Sequence, residues 1–179
     1  ERAPLHLAVA RVDFLGSRAL EVNATIPAMQ GYSDIAVEQW LRHFAPAADA
    51  ARLAAANGSN VAALRHALLH LHARLRRGEP QRIGLLCRRG DAQSTELARI
   101  AADFGRAGLE ARIAHPDQLE WRGGQLWCEG GPLPLVYRHV FLSRLEQTPS
   151  AALEAALCAE DRDATLVLNP PAPHLEMKS

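Results

Sequence analysis

Arg82-Ile83-Gly84-Leu85-Leu86-Cys87, followed by Arg88-Arg89-Gly90-Asp91-Ala92-Gln93 and then by Ser94 to Arg106, is the stretch that decides the fold. A short apolar run that ends in a glycine turn is the pattern of a strand buried on both faces. Ser94 to Arg106 reads as a helix, Gly108 breaks it, and Glu110 to His115 returns as a second strand. Strand, helix, strand predicts a parallel pair with a right-handed crossover, with Ile83, Leu85 and Leu86 buried beside Ile113 and Leu135. The expected class is therefore α/β, built on a Rossmann-like parallel sheet.

Toward the C-terminus, Leu119 to Trp121 and Leu126 to Cys128 form a hairpin through Gly123-Gly124, Leu133 to Tyr137 is a buried strand, and Pro149 to Ala159 is a helix. Thr165 to Leu168 is a last strand before the proline-rich exit at Asn169-Pro170-Pro171. Toward the N-terminus, Val61 to Arg77 is the clearest helix, with Leu64, Leu68, Leu71 and Leu75 on one stripe and Gly78 after its end. Ser33-Asp34 is expected to open another helix through Ile35, Val37, Trp40, Leu41 and Phe44, after a loop from Ala24 to Tyr32. Ala45 to Asn60 carries breakers at Pro46 and Asn57-Gly58-Ser59, and either joins two helices or is irregular. Leu7 to Leu15 and Arg18 to Asn23 read as a hairpin turning at Gly16-Ser17. The expected organisation is a flanking segment over 1–79, the Rossmann-like domain over 80–169, and the start of a further domain over 170–179.

The chain has 179 residues, 48% of them hydrophobic and 22% charged, enough for one substantial core or two small ones. Acids and bases balance at 20 each, so neither nucleic acid nor a membrane surface is an implied partner. No apolar run approaches a membrane span. Three scattered cysteines, Cys87, Cys128 and Cys158, suggest neither a zinc knuckle nor a disulfide framework, and a reducing cytoplasm is the expected compartment. A homodimer is one expected partner arrangement. Among 20 basic residues only Lys178 is a lysine. The chain opens on Glu1 and stops just after that lysine, which reads as part of a longer protein.

Glu21 and Asn23 lie two apart on a strand, so both face one side and can offer oxygen to a hard cation such as Mg²⁺. The alternative is an exposed edge with two polar side chains. Arg11 can take a carboxylate through paired hydrogen bonds, or serve as a structural partner of Asp13 or Glu21. Asp91, Gln93 and Ser94 sit where a parallel strand hands over to a helix, the edge at which open α/β domains bind ligands; Asp91 or Ser94 alternatively caps the helix. Arg138 follows an apolar strand and is a second carboxylate clamp or a snorkelling surface arginine. Lys178, after the last buried strand, can supply the point charge that a nucleotide phosphate needs. His66, His70 and His72 lack the glutamate of a zinc motif and are assigned to a helix flank.

The order of these segments resembles the circularly permuted ATP-grasp ligases, and in particular eukaryotic-type glutathione synthetases. The similarity rests on Arg11-Val12-Asp13-Phe14, Leu20-Glu21-Val22-Asn23 and the small residues through Gly31, on Pro134-Leu135-Val136-Tyr137-Arg138, and on Thr165 to Asn169 followed by Lys178. In the ordinary ATP-grasp order the lysine comes first and the Glu-x-Asn strand last; here they are reversed. The resemblance implies ATP and Mg²⁺ as cofactors and amide formation between a carboxylate or peptide and an amine through an acyl phosphate. It implies Glu21 and Asn23 as metal ligands, Lys178 as a nucleotide contact, Arg11 and Arg138 as catalytic clamps, and Asp91, Gln93 and Ser94 as substrate-binding residues. The family carries a tyrosine three positions after the arginine, where this chain has Phe141, a departure that bears on glutathione-type specificity. The competing expectation is a non-catalytic α/β binding or interaction module.

Overall fold

A computed structural model describes residues 9–76, 78–159, 161 and 163–170. The chain runs through β1 (Arg11–Leu15), β2 (Arg18–Asn23), α1 (Gln30–His43), α2 (Ala47–Asn57), α3 (Asn60–Leu75), β3 (Arg82–Leu86), α4 (Ser94–Arg106), β4 (Glu110–Ala114), β5 (Glu120–Arg122), β6 (Gln125–Cys128), β7 (Gly131–Leu133), β8 (Leu135–Arg138), α5 (Leu142–Gln147), α6 (Ala151–Cys158) and β9 (Leu166–Leu168). The expected strand, helix and strand are present. β3 lies inside a parallel sheet of order β4-β3-β8-β9, with Leu85 level with Ile113 on one side and Ile83 level with Leu135 on the other.

Alternation along the strands divides the core into two layers. Ile83, Leu85, Cys87, Leu135, Tyr137, Leu166 and Leu168 pack with Leu64 and Leu68 of α3 and with Leu97, Ile100 and Phe104 of α4. Leu86, Val136 and Val167 face the other way, onto Leu126, Leu133, Leu145 and Leu153. Because both faces of the sheet are covered, β3 reads as a continuous apolar run, and Ile83, Leu85 and Leu86 are all at 0% exposure.

The expected strand Leu133 to Tyr137 is two strands. Gly131–Leu133 pairs antiparallel with β6, and Leu135–Arg138 joins the parallel sheet. Pro134 marks the break: it has no N–H for either ladder, while its carbonyl accepts from Leu166 N–H at 2.9 Å.

Helix α1 starts at Gln30, inside the expected loop, and Ser33-Asp34 do not cap it. Met29 is its N-cap in the left-handed region, and Glu96 of α4 accepts from the N–H groups of Met29 (3.1 Å) and Gly31 (2.9 Å). Asp34 instead caps α3, accepting from Asn60 N–H (2.8 Å), Val61 N–H (3.1 Å) and Ser59 Oγ (2.7 Å). The stretch Ala45 to Asn60 thus joins two helices by containing α2, none of whose residues is buried. α5 is too short for its periodicity to be legible. Residues before Val9, which include the start of the expected first strand, lie outside the described residues. No helix among the described residues is long and apolar enough to cross a membrane.

Candidate functional site

The ends of the β1–β2 hairpin are tethered to the carboxyl end of β9 by the side chain of Asn169. Asn169, just past β9 and in the left-handed region, accepts from Val9 N–H (3.3 Å) and donates to the carbonyls of Val9 and Ala24 (3.3 Å each). Arg138, at the end of β8, is buried beneath it. Its Nε donates to the Asn169 carbonyl at 2.5 Å, and its terminal nitrogens donate to the carbonyls of Val140 and Pro170. Arg138 is therefore neither a surface arginine nor a group displayed on the strand face; it braces the segment that clamps the hairpin.

The hairpin turns a polar face toward the domain. Arg11 and Asp13 form a two-pronged ion pair, Nε to Oδ1 at 2.7 Å and Nη2 to Oδ2 at 2.9 Å, and Arg11 Nη1 donates to the Ala28 carbonyl at 3.2 Å. Arg11 stands opposite Asn23, and Asp13 opposite Glu21. Asn23 is buried and donates to Asp13 at 3.3 Å, whereas Glu21 is exposed. The hydrogen bond to Asp13 raises the Arg11 pKa above its ordinary value, so the guanidinium is charged at any physiological pH. These three bonds use three of the five N–H groups of a guanidinium. Arg11 lines a cleft of about 380 Å³ between hairpin and helices, together with Val9, Ala28, Gln30, Ser33 and Asn60.

The turn residues lie after β3 at the same edge. Asp91 accepts from Gln93 N–H at 2.9 Å through its side chain, and its carbonyl accepts from Ser94 N–H at 3.1 Å. Arg88 Nε stands 3.4 Å from the Asp91 carboxylate. Gln93 is the N-cap of α4 and makes no capping bond with its side chain; Ser94 is exposed. Neither this turn nor Arg138 lines the cleft that Arg11 lines.

Sequence reasoning missed Glu96, Tyr137, His139 and Asn169 as members of this edge. Glu96 is 1% exposed and holds the segment that carries Ala28 and Met29. Among the described residues the Tyr137 hydroxyl and His139 Nδ1 are buried without a hydrogen-bond partner, their rings 6.2 Å apart. Burial pushes the Tyr137 phenol up and the His139 imidazole down, with Asp91 and Glu96 opposing the latter. The signal available was the polar run Tyr137-Arg138-His139 at the end of an otherwise apolar strand.

His72 is buried, with Nδ1 3.2 Å from the Gly78 carbonyl, while His66 and His70 stack on the exposed side of α3. Among the described residues no group of three or more histidine, cysteine or acidic side chains is placed to hold a metal ion. Lys178 lies outside the described residues. No model of a known protein family matches this chain, and no curated protein matches it.

Proposed function

We propose that the chain carries the acid-binding side of an ATP-dependent carboxylate–amine ligase of the permuted ATP-grasp type. The observation that carries this reading is Arg11: preorganised by Asp13, with two N–H groups beyond those in its three bonds, and lining a cleft beside the carboxyl edge of a parallel sheet. An arginine held in this way is suited to a substrate carboxylate. Asp13, Glu21 and Asn23 make the hairpin's inner face rich in oxygen, a donor set that fits Mg²⁺. Glu21 and Asn23 would hold the ion, which supplies neutralisation of nucleotide phosphate charge. Lys178 would add a nucleotide contact, and Asp91, Gln93 and Ser94 would meet the far end of the substrate. Arg138 serves as a positioning residue, acting through Asn169. The reaction transfers a phosphoryl group from ATP to the acid, releasing ADP; the amine then displaces phosphate from the acyl phosphate to leave an amide.

A second reading, a non-catalytic α/β binding module, is favoured by one observation: Arg138 is directed at backbone carbonyls, away from the cleft of Arg11. NMR titration with glutathione-like peptides and simple dicarboxylates separates the two. The ligase reading expects saturable shifts at Arg11 Nε–H and at 28–33, abolished in Arg11→Ala. Absence of shifts there at millimolar ligand leaves the module reading ahead.

A further inference from the structure

The amino edge of the parallel sheet, opposite the site above, opens on a second cleft of about 560 Å³, a size suited to a small molecule. Two arginines line it. Arg82 begins β3 and its side chain is only 13% exposed. Its Nε stands 3.2 Å from Glu110 Oε1 without forming a hydrogen bond to it, and is a buried donor without an acceptor among the described residues. The same Glu110 oxygen is taken by Arg112 Nε at 2.8 Å.

Gly131 of β7 is what admits Arg82 here. A Cβ at that position would overlap Arg82 Nη1, so any other residue displaces the guanidinium. Arg76, just past α3, donates to the Ala164 carbonyl at 3.1 Å and to Leu75 at 3.2 Å. No carboxylate hydrogen-bonds it among the described residues. Burial depresses its pKa, with Asp161 opposing the effect at a distance. A guanidinium drawn out of water without an anion in contact is costly, and an unmet donor beside it adds to the cost. An oxyanion in the cleft, taken by Arg76 and by the outer nitrogens of Arg82, relieves the first of these costs.

We propose that the cleft between Arg76 and Arg82 binds a small polar molecule carrying a single oxyanion, a carboxylate or a phosphate monoester, at a site separate from that of Arg11. The charge count limits the ligand. Glu79 and Glu110 border the same cleft and balance its two guanidinium groups, so a dense polyanion is repelled while one oxyanion placed against the arginines on a polar body is accepted. Gln81, on the same walls, offers an amide to that body, and Gln125, whose Nε2 donates to the Asp163 carbonyl at 2.8 Å, offers its amide oxygen.

The test follows the arginine Nε–H signals by NMR while acetate or methyl phosphate is added, with sodium chloride at matched ionic strength as control. Saturable shifts at Arg76 and Arg82, retained in Arg11→Ala, are expected. Saturation by acetate identifies a carboxylate ligand, and saturation by methyl phosphate a phosphate monoester. Arg82→Gln should weaken binding about tenfold, the loss of one charge-assisted contact. Gly131→Ala keeps both charges and should weaken binding similarly by displacing Arg82. Arg76→Gln supplies the same measurement if either of those variants fails to fold. Shifts reproduced by sodium chloride, shifts that never saturate, or equal affinity in the folded variants overturn the proposal.

Discussion

Glu96 and Gly31 are fitted to one another: the carboxylate accepts the Gly31 N–H at 2.9 Å, and the Glu96 Cγ lies 3.3 Å from where a Cβ on Gly31 would sit. A helix start is thereby fastened to a neighbouring helix at a point where only glycine fits without displacement. Glu96→Ala leaves two N–H groups without their acceptor and should cost about 2 kcal/mol. Gly31→Val should destabilise as well, by forcing the glutamate away. Urea unfolding followed by circular dichroism measures both, and an unchanged midpoint in Glu96→Ala would show the contact to be inert.

Arg138 offers a sharper case. Removing its guanidinium strips the carbonyls of Val140, Asn169 and Pro170 of a donor in the interior, so Arg138→Ala should cost about 3 kcal/mol or more. Arg138→Lys should not restore it, because one ammonium on a flexible stem cannot reproduce a planar fork. If Arg138→Ala folds as stably as the parent, the bracing role is wrong.

Asp34 links acid stability to helix capping. Burial pushes its pKa up, but the hydrogen bonds from Ser59, Asn60 and Val61 outweigh it and hold the carboxyl below its ordinary value. A group depressed in the native state contributes stability that is whole above the ordinary carboxylate pKa and is lost as pH falls through the lowered native value. Asp34→Asn should cost about 1 kcal/mol at neutral pH and flatten the acid limb of the stability profile. Equilibrium unfolding across acidic pH is the measurement.

His72 and His139 act in a different window. Burial lowers both imidazole pKa values, so the unfolded chain binds protons more readily than the native one. Their penalty should be absent above the ordinary histidine pKa and should grow as pH falls below it. Replacing His139 with Gln should reduce the slope there, although the absolute stability changes too. Stability curves for parent and variant that run parallel between neutral and mildly acidic pH would contradict this.

Glu21 should behave unlike all of these. It is exposed, so Glu21→Ala should alter stability by no more than about 0.5 kcal/mol. The ligase reading expects it to abolish Mg²⁺-induced shifts at Asp13 and Asn23 in an NMR titration. Identical Mg²⁺ titrations in parent and Glu21→Ala remove the metal assignment.

The β-α-β unit was legible because burial on both faces writes a continuous apolar run at Ile83 to Leu86, and the register of Leu85 with Ile113 follows from it. The turn at Gly90 to Ser94 and the pairing of Arg11 with Asp13 were legible for a similar local reason. What sequence could not give were the long-range bonds from side chain to backbone. Asp34 looked like the cap of its own helix and caps α3; Glu96, one acid within the Ser94 to Arg106 helix, carried no signal of its burial; Arg138 looked like a clamp at a strand end and points into the protein. Such bonds join residues far apart in sequence and leave no periodicity. The division at Pro134 was marked by the proline itself, but an apolar run on both sides masked it.

The clamp at Asn169 also sets an order of events as the chain is made. Its bond to Ala24 spans 145 residues, so at about 5–20 residues per second the hairpin leaves the ribosome on the order of ten seconds before its anchor exists. A two-stranded ribbon is marginal alone, and this one shows water the side chains of Val12, Leu20 and Val22 even when docked. Assembly must therefore run from the central β-α-β unit outward, with the first strands synthesised among the last to settle. A chain stopped short of Asn169 would retain its middle and leave its beginning without a place to bind.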